Sequence, residues 1–284
     1  MRSRVHPATG SAGRLVSEVA PCRSMPCSRR RRDVRGTGQD APRGVVIFMK
    51  RTTKAVFFDV DYTLIYPGPT FAAAGYRSFS ERHGLSVDTA RFDAAVAAAS
   101  RELESDEDAS YRRELYVRYA RRVIEEMGGS GSGIDACAQE IYEEWAVCRH
   151  FSLYDDVKPV LRQLHGSGLR LGLISNTHRC LTSFRDHFEL ETFIAGAVSS
   201  SDHGFMKPHP SIFEAALREL DVAAEEALMV GDSISHDVEG ARRLGMRAVL
   251  LARSAQPAQW VEDVPVITSL RELPAFVVEG ATEA

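Results

Sequence analysis

Lys54-Ala55-Val56-Phe57-Phe58-Asp59-Val60-Asp61-Tyr62-Thr63-Leu64 is an apolar, β-branched run that stops at two carboxylates one residue apart, followed by a hydroxyl. The apolar part reads as a strand buried on both faces, at the centre of a parallel sheet. Asp59 and Asp61 then stand at its carboxyl end, where open α/β sheets place their ligands. If the backbone stays extended there, residues two apart point the same way and both carboxylates face one site. Two close like charges repel, and a bound cation is the usual reason to tolerate them. A pair of solvated turn aspartates is the plainer alternative for this stretch alone.

The remaining composition is that of an ordinary globular protein: 284 residues, 44% hydrophobic and 26% charged. No apolar run approaches the roughly 20 residues of a membrane span. Eleven Lys/Arg against three Asp/Glu in residues 1–50 leave residues 51–284 with a net charge of −12 out of the total −4. An acidic folded part argues against a nucleic-acid-binding face. The five cysteines (Cys22, Cys27, Cys137, Cys148 and Cys180) form no close Cys/His cluster that suggests zinc and no disulfide framework. The last three fall in helical patterns as small apolar residues, and a reducing cytoplasm is the expected compartment. Residues 1–48, with an arginine run at 29–32, read as a disordered basic tail or as an upstream extension of a frame starting at Met49.

Beyond the first strand, Ile65-Tyr66-Pro67-Gly68-Pro69 breaks regularity and suggests a short mobile loop over the site. Residues 70–83, 87–103, 110–127 and 134–147 each carry helical spacing, with no strand between them. They form an all-helical insertion, a cap domain spanning 67–153 on a core made of 49–66 and 154–278. From residue 155 helix and strand alternate: helices over 155–166, 177–187, 208–220 and 234–244, and strands over 169–175, 193–198, 227–231, 247–251 and 266–267. That alternation calls for a doubly wound parallel sheet with helices on both faces.

Three more strand ends carry polar groups. Ser175-Asn176-Thr177 follows Leu171-Gly172-Leu173-Ile174 at a helix start, a place suited to an anion. Lys207-Pro208 precedes the next helix. Ala227-Leu228-Met229-Val230 ends in Gly231-Asp232, with Asp237 five residues on. Separately these are an N-cap serine, a surface lysine and turn acids; their order on one alternating frame makes chance a poor explanation.

With these motifs the chain resembles the haloacid dehalogenase (HAD) superfamily, in the subgroup with a helical cap between the first and second motifs. The resemblance covers about residues 53–275. It implies that Asp59 is a nucleophile forming an aspartyl-phosphate and that Asp61 is the acid and base. Ser175, Asn176 and Lys207 are implied to hold the phosphoryl group, supported by Thr63 and Asp237. Asp59, Asp232 and the backbone carbonyl of Asp61 are implied to bind Mg²⁺, with Asp237 either a direct ligand or one step behind. In the dehalogenases of this superfamily the position two after the nucleophile is not an acid, because halide leaves without a proton, and in phosphonate-cleaving relatives it is likewise replaced. Asp61 therefore favours a phosphatase of a small phosphorylated metabolite over those branches. A phosphomutase is the alternative, and a non-catalytic binding module on the same fold is a third reading, disfavoured because Asp59, Asp61 and Lys207 are all present. No nucleic acid is expected as a partner of the folded part and no membrane is expected, and a monomer or homodimer is. Among cap residues, Tyr111, Arg112 and Arg113 are candidates to meet the substrate; His178, His203, His209 and His236 are given no catalytic role.

Overall fold

A computed structural model describes residues 53–104, 108–253 and 263–277; the expectations for residues 1–48 and for a core reaching 278 lie outside them. Ala55–Phe58 (β1) is followed by Ile65–Pro67 (β2). Four helices come next: Ala73–Arg82 (α1), Phe92–Glu104 (α2), Arg113–Glu126 (α3) and Ile134–Trp145 (α4). The chain returns through Phe151–Leu153 (β3) to Val157–Gly166 (α5), Arg170–Ser175 (β4), Leu181–Phe188 (α6) and Ile194–Ser199 (β5). Ser200–His203 (α7), Pro210–Glu219 (α8) and Ala227–Gly231 (β6) follow. A π-helical stretch at Ile234–Glu239 runs into Gly240–Arg243 (α9), and then come Arg247–Leu251 (β7), Val266–Ile267 (β8) and Leu273–Val277 (α10).

The sheet order is β5-β4-β1-β6-β7-β8, with every pairing parallel. β1 lies in the middle and is closed on both faces. Val56 and Phe58 join the core that includes Leu161 and Leu164 of α5 and Phe184 of α6; Ala55 and Phe57 join the opposite core with Ile212, Phe213 and Ala216 of α8. Burial of each phenylalanine contributes about 2 kcal/mol, so the strand is fixed by packing on two sides. The α/β doubly wound reading holds. No helix of the described residues is long and apolar enough to cross a membrane.

The structure departs from the sequence reading in several places. Residues 65–67 are not a mobile loop: β2 pairs antiparallel with β3, making a two-stranded ribbon through which the chain leaves for the helices and comes back. The helix expected from 177 starts at Leu181, because Thr177 Oγ1 accepts a bond from the Arg179 amide and bends the segment. The helix expected from 234 begins as a π-helical stretch, with the Ser233 hydroxyl accepting from the His236 amide. Cys180 is exposed in the loop before α6 rather than packed in a helix.

Candidate active site

β1 ends one residue before the first carboxylate, and main-chain bonds then set the site. The Asp59 amide donates to Val230 O of β6, tying it to the strand that delivers Asp232. Tyr62 lies in the left-handed region at φ 62°, which costs a non-glycine residue roughly 1–2 kcal/mol. That turn lets the Tyr62 amide reach Ile65 O at 2.7 Å, while the Leu64 and Ile65 amides fold back onto Val60 O. Arg253, just after β7, donates to Thr63 O and to both oxygens of buried Asp156, which locks the turn from outside.

Asp59 is 7% exposed, and its Oδ1 accepts from Lys207 Nζ at 2.5 Å. The same ammonium donates to Asp237 Oδ1 at 2.6 Å, and Asp237 Oδ2 accepts from the Ser233 amide at 3.0 Å. Burial opposes the Lys207 charge, but Asp237 and Asp59 outweigh it and hold the ammonium above the ordinary lysine range. Burial raises the Asp59 carboxyl well above its ordinary value; Lys207 pulls it back, and Asp237 and Asp232 push it up again. Asp232 opens to solvent but is crowded on its protein side; that burial, then the Asp237 charge, pushes it up to about 7. One oxygen from each of Asp59, Asp232 and Asp237 lies within 4.8 Å of the others. Lys207 pairs with two of these three carboxylates, Asp59 and Asp237, so the set keeps surplus negative charge and can take a hard divalent cation through oxygen donors. Gly231 is required here: a Cβ would stand 2.2 Å from Asp237 Oδ2.

The structure brings the other candidate residues together in distinct ways. Ser175 is buried at the end of β4, in register with Ser199 of β5. Asn176 spends its amide on the main chain of Lys207, donating to Lys207 O at 2.9 Å and accepting from the Lys207 amide at 2.6 Å. These two bonds clamp the main chain of the lysine. Thr63 is fully buried, and its hydroxyl has no hydrogen-bond partner among the described residues. The Asp61 carboxylate stands apart from the three-carboxylate cluster, paired with Arg179.

Arg179 is the residue that the sequence reading missed. A lone arginine in an expected helix reads as solvated, and nothing in its spacing marks it as buried. The helical insertion also touches the site loops directly. The Tyr111 amide donates to Gly204 O and the Met206 amide to Ala109 O, a short antiparallel bridge that pairs Ser110 with Phe205, two residues before Lys207. The Tyr116 hydroxyl reaches Met206 Sδ at 3.1 Å, and burial raises it above the usual tyrosine range. Of the residues expected to meet the substrate, Tyr111 is hydrogen-bonded to Tyr142 at 2.6 Å and Arg113 to Glu143 at 3.2 Å. His178 stacks on Tyr142, with ring centroids 3.9 Å apart.

The chain is similar to a ribulose-1,5-bisphosphate 5-phosphatase of Halopiger xanaduensis, 31% identical over 209 residues, 71% of this chain and 86% of that one. It is also similar to a glyceraldehyde 3-phosphate phosphatase of Methanopyrus kandleri, 32% identical over 218 residues, 70% and 84% of the two chains. A HAD phosphatase from Thermococcus onnurineus has a similar solved structure, with a TM-score of 0.57, 25% identity, and coverage of 80% of this chain and 98% of that one. The haloacid dehalogenase-like hydrolase model matches residues 53–245, from the strand before the paired aspartates to the helix after Asp237, and the chain belongs to that family.

Proposed function

We propose that the protein is a Mg²⁺-dependent phosphomonoesterase that acts on a small phosphorylated metabolite through an aspartyl-phosphate on Asp59. The observation that carries the reading is the Lys207 ammonium between Asp59 and Asp237, with Asp61 two residues beyond the nucleophile on the same turn. Asp59 Oδ would attack phosphorus, forming a P–O bond as the bond to the leaving oxygen breaks. Asp61 would give its proton to that oxygen, then take one from the water that hydrolyses the acyl phosphate. Lys207 would offset charge on the phosphoryl oxygens, held in register by Asn176 and Asp237, with Ser175 at the neighbouring strand end. Mg²⁺, held by Asp59, Asp232 and the Asp61 carbonyl, would neutralise phosphoryl charge during in-line transfer. The relatives named for small sugar and triose phosphates support a substrate of that size. The helices between β2 and β3 are read as a cap that excludes water and selects the leaving group.

Release of inorganic phosphate from a panel of phosphorylated metabolites, with Mg²⁺ and with chelator, tests the reading. Mg²⁺-dependent release is expected, and no release from any member by folded protein would reject it.

A pH dependence follows from the acids. Asp59 and Asp232 have carboxyls raised above their ordinary values, so protonating them favours the folded state. That stability is present below the unfolded-state value and lost as pH rises through about 7 for Asp232. A cation takes the place of those protons only when they have left. The Mg²⁺-induced rise in Tm is therefore expected to be larger at about pH 8 than at about pH 5.5. An equal rise at both, measured by scanning fluorimetry, would contradict the assignment of these acids to the metal.

A further inference from the structure

Arg179 is one of the largest fully buried side chains of the described residues. Its guanidinium grips Asp61 with both terminal nitrogens: Nη1 lies 3.2 and 3.1 Å from the two carboxylate oxygens and Nη2 lies 3.2 Å from Oδ1. Nη2 also donates to the carbonyl of Trp145, the last residue of α4, at 2.8 Å. Cζ sits 4.3 Å from the ring centroid of Phe151, the first residue of β3. Nε is buried without a partner among the described residues. A buried ion pair with an unpaired donor is a poor source of stability compared with apolar packing. Its placement on the one carboxylate outside the metal cluster points to the reaction.

We propose that Arg179 is the positioning residue of Asp61, an inference that rests on the phosphatase reading. The fork fixes the plane of the carboxyl group in front of the leaving oxygen. Because Trp145 and Phe151 hold the same guanidinium, the helical insertion fixes the acid through Arg179.

The dependence on leaving group tests this. An alkoxide needs the proton, whereas p-nitrophenolate departs without it. In Arg179→Met, kcat/KM for an alkyl phosphate is expected to fall on the order of 10²–10³-fold. For p-nitrophenyl phosphate the fall is expected to stay under about tenfold, because Asp61 is then needed only as the base toward water. Arg179→Lys, which keeps the charge but not the fork, should fall between wild type and Met on the alkyl ester, and serves if the Met variant does not fold. In an Asp61→Asn background, adding Arg179→Met should cost little more, since both changes remove the same function. Equal losses on both esters, or additive losses in the double variant, would overturn the assignment while leaving the phosphatase standing. Inactivity of the wild type on both esters would overturn both.

Discussion

Asp59→Asn is expected to abolish turnover while leaving the fold intact. The amide keeps the shape of the side chain and one acceptor for Lys207, but it cannot attack phosphorus. Removing the covalent nucleophile from a preorganised site costs about 10⁵–10⁶-fold in kcat, with the residue of catalysis coming from positioning and charge. The fold has little reason to suffer. Lys207 keeps Asp237 as a charge partner at 2.6 Å. The repulsion among Asp59, Asp232 and Asp237, which raises the Asp59 carboxyl, is reduced. The Tm of the metal-free variant should therefore stay level or rise. Phosphate release and scanning fluorimetry on the same preparation check both halves. Turnover within tenfold of wild type would remove Asp59 from the role of nucleophile.

Lys207→Met is expected to damage both stability and catalysis. The ammonium is almost wholly enclosed and is hydrogen-bonded to two buried carboxylates. Breaking a buried pair by deleting one partner costs about 3–5 kcal/mol, because the other charge stays buried and uncompensated. For a chain of this size that is roughly a 10 °C loss in Tm. Turnover should fall by at least 10²–10³-fold, the usual effect of removing one preorganised donor to a developing charge. The double variant Lys207→Met/Asp237→Asn separates the two effects. Neutralising Asp237 should return much of the lost Tm and none of the activity. A single Lys207→Met variant that melts with the wild type would show that the ion pair does not carry the assigned weight.

Much of this site was legible because its residues end strands, and strands announce themselves by apolar runs. Phe58 before Asp59 and Val230 before Gly231-Asp232 gave two carboxylate positions and a parallel sheet to hold them. Spacing said less about what each polar group would touch. The bonds that Asn176 makes to the Lys207 backbone join partners 31 positions apart, which no local pattern reveals. No local pattern marks the β2–β3 ribbon, since each strand has three residues and the pairing joins residues 65–67 to 151–153. Arg179 was invisible for the opposite reason: its type says surface, and only Asp61, Trp145 and Phe151, brought from three separate places, bury it.

The position of β1 in the sheet bears on how the chain emerges during synthesis. Ala55 is paired on one edge with Arg170 and on the other with Ala227. Among the described strands this fully buried one precedes both of its neighbours in the chain and receives the second only after residue 227 has been made. At about 5–20 residues per second, its second edge stays open for roughly 10–30 s. During that interval α1–α4 can pair helix to helix by local contacts, while β1 offers unpaired backbone on a hydrophobic strand, the feature most prone to intermolecular pairing. Arrest of translation just before Ala227 would leave a nascent chain with a folded helical unit and an exposed central strand, a natural target for chaperones.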